Sequence, residues 1–302
     1  MKLLKLNLAG AGLILTCHNP ELAYFLEEEL SSFRDDRING QSSRIAVDLV
    51  ETQNPLFERI ELGENKFLLP GKTELLIEYR EREDGPVLTM HARLDTGADN
   101  SARRFLCSFI LNHCLNLFLQ IQNRRESRHF LMMHACGVVV DGGAFLFTGA
   151  SGAGKSTIAR ELMNMETAMV LGDDMIILVS DQQGWKAFGS PLGGDIPRAE
   201  LKNTGAPLKA IFVIRQAAKV ECRPLERAQI IPSLITAVVP VLPLKFTANQ
   251  KMAEYDRQSL DLLIGEAAML ASAVPCFSLV LTLRDSPWKE IFMTHKGGIA
   301  NG

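Results

Sequence analysis

The chain has 302 residues, 47% of them hydrophobic, which is enough to bury a substantial core in one large domain or two smaller ones. Its 32 Lys and Arg residues against 35 Asp and Glu residues give a formal net charge of -3, so no basic field favours a nucleic-acid partner. The six cysteines form no CxxC pair and are too sparse for a secreted disulfide scaffold, which predicts reduced thiols, a cytoplasmic location and no structural zinc.

The first stretch, MKLLKLNLAGAGLILTCHNP, allows two interpretations. Lys2 and Lys5 precede an apolar run that ends near Cys17, a pattern that signal peptides and lipoprotein leaders also show. The alternation in KLLKLNL indicates instead an amphipathic strand, because Asn7 and two glycines interrupt what would have to be a continuous apolar segment. We therefore favour a strand for this stretch.

The rest of the first half predicts one helix followed by several short strands. Asn19 and Pro20 form an N-cap and N1 pair, and apolar residues at helical spacing continue to about Phe33. Between Arg44 and Arg93, the β-prone runs RIAVDLV, KFLL, TELLIEY and VLTMHARL are separated by turn-rich or polar pieces. This pattern is typical of a small α+β domain, and no motif in it indicates a role.

A long apolar stretch, FLCSFILNHCLNLFLQI, begins at Phe105. A membrane span and a core helix are its two interpretations. The two asparagines, the histidine and the glutamine within it are costly in hydrocarbon, so we expect a core helix ending near Asn123 and no membrane partner. The charged segment RRESRH follows and places a domain boundary near Arg128, which divides the chain into residues 1–128 and 129–302.

The second domain opens with two β-prone runs in CGVVVDGGAFLFTGASGAGKST. They are separated by Asp141, Gly142 and Gly143, the composition of a tight hairpin turn. The second strand therefore has an antiparallel neighbour, unlike the parallel order typical of nucleotide-binding sheets. We expect a mixed sheet.

The glycine-rich segment after that strand matches the Walker A pattern GxxxxGK[ST] between a strand and a helix, the context that supports the motif. Glycines let successive N–H groups turn inward, and the helix N-terminus adds a positive end, so a triphosphate finds many donors. We expect Lys155 to reach the β and γ phosphates and Ser156 to offer its hydroxyl to Mg²⁺. The predicted ATP-binding residues are Gly149, Ala150, Ser151, Gly152, Ala153, Gly154, Lys155, Ser156 and Thr157.

Two adjacent acids, Asp173 and Asp174, interrupt the apolar run AMVLGDDMIILVS, which follows a predicted helix from Ser156 to about Met165. Neighbouring carboxylates inside a buried strand are costly unless they face a metal or hydrogen-bond donors. One acid is expected to complete the magnesium site and the other to accept a hydroxyl proton, and the sequence does not distinguish them. The alternative is a solvated turn between two strands.

His134 begins the pair of strands that leads to the loop, where its imidazole would lie near the acids and adjust their pKa. The alternative is that His134 is a histidine of the core whose ring nitrogens are hydrogen-bonded there, with no role in a site. The chain has no NKxD tetrad and no LSGGQ-like run, which argues against a GTPase and against a transporter ATPase.

Together, HACGVVVDGGAFLFTGASGAGKSTIARELM and LGDDMIIL resemble the catalytic domain of HPr kinase/phosphorylase and its relatives, which are similar in fold to phosphoenolpyruvate carboxykinase. The segments AFGSPLGGD and APLKAIFVI look like the glycine-bearing loop and following strand of the wider group. The resemblance implies an α/β fold: a carboxykinase-like P-loop domain with a mixed sheet, preceded by a smaller α+β domain. It also implies ATP and Mg²⁺, a histidine at His134 near the active site, and a catalytic base at Asp173 or Asp174.

The chain lacks the second signature of that family, which has a Glu-Leu-Arg-Gly core. Glu200, Arg198 and Arg215 are candidates for its acid and phosphate-facing cation, although surface roles are the commoner explanation for such residues. The leading hypothesis is a kinase that phosphorylates a hydroxyl of a protein, a peptide or a small molecule, with Lys155, Asp173, Asp174 and His134 as its catalytic residues. A nucleotide-binding regulator that has lost catalysis is the alternative, and a carboxykinase-type decarboxylase is a distant third. The acceptor, the reverse reaction and homo-oligomerisation stay open.

Overall fold

The computed structural model describes residues 1–38, 42–52, 66–69, 74–80, 87–93, 100–125, 128–196, 203–239 and 257–282. The chain divides into two compact units. The first comprises Met1–Phe130 and Val241–Ser259, and the second comprises Leu131–Pro240 and Leu260–Gly302. Each unit combines helices with a mixed sheet, so the chain belongs to the mixed α/β class.

The first unit contains a sheet built from short runs of apolar and β-prone residues. Its described strands are β1 Lys2–Leu8, β2 Ala11–Cys17, β3 Ser43–Thr52, β4 Lys66–Leu69, β5 Glu74–Arg80 and β6 Val87–Arg93. They lie in the order β1-β2-β3-β6-β5-β4. The β2–β3 and β3–β6 pairs are parallel and the other pairs antiparallel, so the predicted strand-rich character is confirmed.

The leader-like stretch at the start forms an antiparallel hairpin, in which Leu8 pairs with Ala11. Leu4, Leu6 and Leu8 are buried while Lys5 and Asn7 between them are more exposed, which is the alternation of a half-buried strand. Cys17 is fully buried at the end of β2. The predicted strand is therefore confirmed. No disulfide joins any of the six cysteines.

Helix α1 spans Pro20–Glu29, and its N-terminus is capped as predicted. The Oδ1 atom of Asn19 accepts a hydrogen bond of 2.9 Å from the backbone N–H of Leu22, which satisfies one of the first-turn donors. The helix ends at Glu29 and a 3-10 turn covers Ser31–Phe33, so the predicted end at Phe33 was too late.

Helix α2 spans Asn100–Arg125 and begins before the predicted start at Phe105. The segment NSARR that precedes Phe105 continues the helix, since alanine and arginine are good helix formers and asparagine and serine suit a helix start. The interior of α2 is largely buried, as expected for a core helix. Among the residues that the structure describes, no helix is both long enough and apolar enough to cross a membrane.

The second unit is built on a ten-stranded mixed sheet among its described residues. Its strands are β7 His129–His134, β8 Cys136–Val140, β9 Gly143–Thr148, β10 Ala168–Gly172, β11 Met175–Asp181, β12 Gly184–Gly189, β13 Gly205–Gln216, β14 Glu221–Pro224, β15 Val238–Val239 and β16 Cys276–Leu281. Its helices are α3 Lys155–Met163, α4 Arg227–Ile235 and α5 Arg257–Ala273. The main path runs β10-β8-β9-β13-β12-β11-β7-β15, and β16 pairs with β13 and β14.

The predicted hairpin before the glycine-rich loop is present. Strands β8 and β9 pair antiparallel, and Val140 faces Gly143 across a two-residue turn. Asp141 and Gly142 have φ values of 50° and 77°, the left-handed pair that such a turn requires. Gly143, predicted as part of the turn, is the first residue of β9.

The run AMVLGDDMIILVS forms two strands at different places in the sheet, where a single interrupted strand was predicted. Strand β10 pairs with β8, while β11 lies between β12 and β7. The chain therefore crosses from one part of the sheet to another at Asp173 and Asp174, because a strand pairs with whichever neighbour buries its apolar residues.

Two apolar clusters, one of which includes α3 and the other α5, make the core of the second unit. Ile158 and Leu162 of α3 pack with Phe147 of β9 and Phe212 of β13. The rings of Phe147 and Phe212 stack with centroids 5.2 Å apart, and burying each ring is worth about 2 to 3 kcal/mol. This packing anchors both the strand before the glycine-rich loop and the helix after it.

Candidate functional site

The glycine-rich loop lies where predicted, between strand β9 and helix α3. Gly154 has a φ of 111° and caps α3 in the left-handed conformation, which suits glycine. A Cβ on Gly149 would lie 2.7 Å from the carbonyl oxygen of Ile214, so only glycine fits against strand β13 there. The backbone at both ends of the loop therefore depends on glycine, as the Walker A pattern requires.

Lys155, the lysine of the motif, is folded back over the loop. Its Nζ atom donates hydrogen bonds to the carbonyl oxygens of Gly149 at 3.0 Å and Ala150 at 3.4 Å, and only 8% of the residue is exposed. Ser156 in the first turn of α3 is partly exposed, and Ser151 and Thr157 are exposed. The N-terminal end of α3 faces the loop and gives it a positive partial charge.

The sheet topology brings the acid pair to the same edge as the loop. Strands β9 and β10 both pair antiparallel with β8, which lies between them, so they run in the same direction. Their carboxyl ends therefore reach the same edge of the sheet, the loop after β9 and Asp173 and Asp174 after β10. Strand β8 begins at that edge, immediately after His134 and Ala135.

Asp173 is buried, with 3% of the residue exposed. Its Oδ2 atom accepts a hydrogen bond of 2.9 Å from the backbone N–H of Asp195. Its Oδ1 atom has no hydrogen-bond partner among the described residues. A carboxylate oxygen left buried without a partner is costly, and a cation or a hydrogen-bond donor at this position removes the cost.

Asp174 is more exposed and interacts with His134. Its Oδ1 atom lies 3.3 Å from Nε2 of His134, and 41% of its side chain is exposed. The backbone supports the pair: the N–H of Ala135 donates to the carbonyl of Asp174 at 3.0 Å, and the hydroxyl of Thr148 donates to the carbonyl of His134 at 3.0 Å. The structure thus places the imidazole beside one acid of the pair.

Partial burial raises the pKa of Asp174 above its ordinary value. The electrostatic interactions of Asp174 with His134 and Lys155 oppose that rise in its pKa, while the interaction with Asp173 adds to it. These interactions act on Asp174 because the lysine of the loop, the histidine and the acid pair are close to one another. A carboxyl group with a raised pKa holds a proton more readily, which suits proton transfer.

Two residues that the sequence did not single out also contact the site. The loop of residues 190–196 covers Asp173, and the side chain of Asp195 in it pairs with Arg160 of α3 at 2.9 Å. Gln216, at the end of β13, donates a hydrogen bond of 3.0 Å from Nε2 to the carbonyl of Gly152. The GGD triplet of the glycine-bearing loop was a signal for Asp195, whereas nothing in the local sequence indicates Gln216.

The three further candidates for the site have different outcomes. Arg215 donates from Nη2 to the hydroxyl of Ser278 at 2.9 Å, so it contacts strand β16. Arg198 and Glu200 lie outside the described residues. In the part of the chain that the structure describes, no group of three or more His, Cys, Asp and Glu residues is arranged to hold a metal ion by itself.

Comparisons with known proteins give one family model and distant matches among solved structures. A family model described as "ScmC: SynChlorMet cassette protein ScmC" matches residues 100–294, more than half of the chain. A solved structure, the Hpr(Ser) kinase/phosphatase from Coxiella burnetii, is similar over 56% of this chain and 97% of that chain, with 12% sequence identity and a TM-score of 0.32. That likeness is too distant to establish the carboxykinase-like fold. No curated protein matches the chain.

Proposed function

The chain belongs to the ScmC family of SynChlorMet cassette proteins, and we propose that this member is an ATP- and Mg²⁺-dependent kinase that phosphorylates a hydroxyl. One observation carries the proposal: the buried, unpartnered Oδ1 of Asp173 lies at the same sheet edge as a glycine-rich loop with a lysine and two hydroxyls. A phosphate loop and a carboxylate that needs a cation are the two halves of a metal–nucleotide site.

The residues at this edge fit a bound Mg²⁺ ion, since one buried carboxylate oxygen there lacks a partner. Mg²⁺ prefers oxygen ligands and keeps several waters, so one or two carboxylates and a hydroxyl are enough when phosphate oxygens complete its shell. The hydroxyl of Ser156 and the carboxylate of Asp173 would hold it. When bound, the ion neutralises charge on the β and γ phosphates.

The two acids differ in a way that supports different roles. Asp173 is buried and lacks a partner at Oδ1, as a metal-holding carboxylate does before the metal binds. Asp174 is partly exposed, has a raised pKa and lies beside His134, so an acceptor hydroxyl can reach it. We therefore propose Asp174 as the base that accepts the hydroxyl proton, with His134 adjusting its pKa.

Lys155 supplies the positive charge that follows the phosphoryl group toward the leaving oxygen. In the structure its ammonium group is held by two loop carbonyls, from which phosphate oxygens can take it over, because a charged acceptor makes a stronger hydrogen bond than a carbonyl. The loop N–H groups and the N-terminus of α3 add fixed positive dipoles to the same place.

Replacing this lysine tests the proposal. We expect Lys155→Met to lower phosphate transfer from ATP by about 10²- to 10⁴-fold, on the order of 3 to 5 kcal/mol, because the variant loses a charge aimed at the reacting phosphate. Transfer of label from γ-labelled ATP in a lysate that contains acceptors measures the loss. Lys186→Met is the matched control, since Lys186 pairs with Asp181 in the β11–β12 hairpin and not with the loop. Unchanged turnover in Lys155→Met would contradict the kinase proposal.

A nucleotide-binding regulator without catalysis is the second candidate. The sequence supports it through the missing Glu-Leu-Arg-Gly signature, which leaves the acceptor side of the site without a recognisable motif. Calorimetry with MgATP beside the transfer of label from ATP in a lysate separates the two, because tight binding without transfer identifies a regulator. If turnover is present, labelled ATP in a lysate shows whether the acceptor is a protein or a small molecule.

A further inference from the structure

The carboxyl end of strand β13 contacts the glycine-rich loop at two points. At the first, Gly149 packs so closely on Ile214 that a Cβ would lie 2.7 Å from its carbonyl oxygen. At the second, the side-chain amide of Gln216 donates to the carbonyl of Gly152 at 3.0 Å. Strands β9 and β13 are parallel neighbours, with Thr148 opposite Val213, so both chains leave the sheet at the same edge.

The contact with Gln216 is made to an exposed part of the loop. Gly152 is exposed, has a φ of 77°, and no atom lies within 4 Å of where its Cβ would be, so packing does not restrain it. The peptide group that joins Gly152 to Ala153 is held at both ends. Its carbonyl accepts from Gln216, and its N–H donates to the carbonyl of Ala150 at 3.1 Å.

The end of strand β13, which carries Gln216, is itself held by hydrogen bonds. The N–H of Ala217, next to Gln216, donates to the carbonyl of Leu281 at 3.0 Å, which ties the end of β13 to β16. Strand β16 pairs with β13 along Ile211 to Gln216. The side chain of Gln216 therefore extends from a rigid position to a loop segment that has no packing of its own.

We propose that Gln216 is a positioning residue of the phosphate-binding loop. It holds the Gly152–Ala153 peptide in the orientation from which the loop receives a nucleotide's phosphates. This inference rests on the proposed nucleotide-binding function. The residue touches no reacting atom in this role, and it acts through the backbone of the loop.

Three variants test the role of the side-chain donor. Gln216→Met keeps the length and removes the donor, Gln216→Lys keeps a donor that reaches the carbonyl, and Gln182→Met changes an exposed glutamine on the β11–β12 turn of the same unit. Amide hydrogen exchange of residues 149–154 is measured without nucleotide, so that a new charge near phosphates does not affect the result. Calorimetry with MgATP and thermal unfolding are measured on the same proteins.

The expected result is specific to the loop. Gln216→Met should speed exchange in residues 149–154 and weaken MgATP binding by about 3- to 10-fold, the net worth of one hydrogen bond. Its melting temperature should match that of the wild type. Gln216→Lys should restore slow exchange in the loop, and Gln182→Met should change none of these quantities.

Two outcomes overturn the inference: loop exchange and MgATP affinity that do not respond to Gln216→Met, or loop exchange that stays fast in Gln216→Lys. Failure of the proposed function looks different. A wild-type chain that binds no MgATP overturns the nucleotide-binding function, while the exchange measurement still decides whether Gln216 holds the loop.

Discussion

Asp173 and Asp174 are adjacent in the chain and lie in different environments. One is almost fully buried with a free carboxylate oxygen among the described contacts, and the other is partly exposed beside an imidazole. Burying a charged carboxylate costs several kcal/mol unless partners replace the lost water. In the proposed function, a bound cation is the partner of the Oδ1 atom of Asp173.

The side chain of His113 in helix α2 predicts that the folded chain loses stability in acid. Burial lowers the pKa of His113 from 6.5 to about 4, and its ring packs edge-on against Phe109 with centroids 4.4 Å apart. The folded pKa is below the unfolded one, so the stabilising contribution is full above pH 6.5 and is lost as pH falls toward 4. The loss over this window is on the order of 3 kcal/mol.

Urea unfolding at pH 7 and pH 4.5 measures this contribution. We expect His113→Leu to lose less stability than the wild type between these two values, because leucine has no proton to gain. His18→Leu is the control, since His18 is an exposed histidine of the same unit. Equal acid sensitivity of the wild type and His113→Leu would show that this histidine does not titrate in the window.

At the scale of elements, the site depends on the loop of residues 190–196, which contacts Asp173. The N–H of Asp195 holds Oδ2 of that acid, and the carboxylate of Asp195 pairs with Arg160 of α3. The ion pair is 61% exposed on both sides and contributes little stability. The backbone hydrogen bond, in contrast, is made to a buried charge and has the larger effect on where the carboxylate points.

Gly194 lets this loop approach the acid. A Cβ at this position would lie 2.7 Å from Oδ1 and 2.8 Å from Oδ2 of Asp173, so Gly194→Ala must displace the carboxylate or the loop. We expect Mg²⁺-dependent turnover to fall by about 10²-fold, since a displacement near 1 Å at a catalytic site has that effect. Steady-state kinetics across Mg²⁺ concentrations measures it. Gly265→Ala on α5 is the control, because a Cβ added there would have no atom within 4 Å.

At the scale of the whole molecule, the site belongs to the second unit, where β9, β10 and β13 end at one sheet edge. The match to the ScmC family begins at residue 100, within the first unit, and continues to residue 294. The match therefore covers helix α2 as well as the sheet that carries the loop. A ligand that binds this sheet edge should stabilise the folded chain by mass action.

This linkage predicts a stability change that needs no knowledge of the acceptor. MgATP at 100 times its dissociation constant should raise the free energy of unfolding by about 2.7 kcal/mol, provided that only the folded chain binds it. Unfolding followed with and without MgATP measures the shift. ATP without a divalent ion should stabilise the chain less, because the buried Oδ1 of Asp173 then has no cation. Equal stability under all conditions would rule out binding.

Several elements could be predicted from the sequence because local interactions determine them. The N-cap at Asn19 and the hairpin turn at Asp141 and Gly142 depend on side chains and φ values within a few residues. The ends of α1 and α2 were less well predicted, because a helix end depends on packing as well as on propensity.

The glycine-rich loop between a strand and a helix was determined by sequence alone, since glycine positions and the flanking hydrophobic pattern are local properties. Only the tertiary structure decided which distant groups reach that loop. Gln216 contacts Gly152, and Asp195 contacts Asp173, because parallel pairing of β13 with β9 and the crossing after β10 bring them to one edge. Pairing between distant strands depends on burial across the whole sheet, which no local spacing encodes.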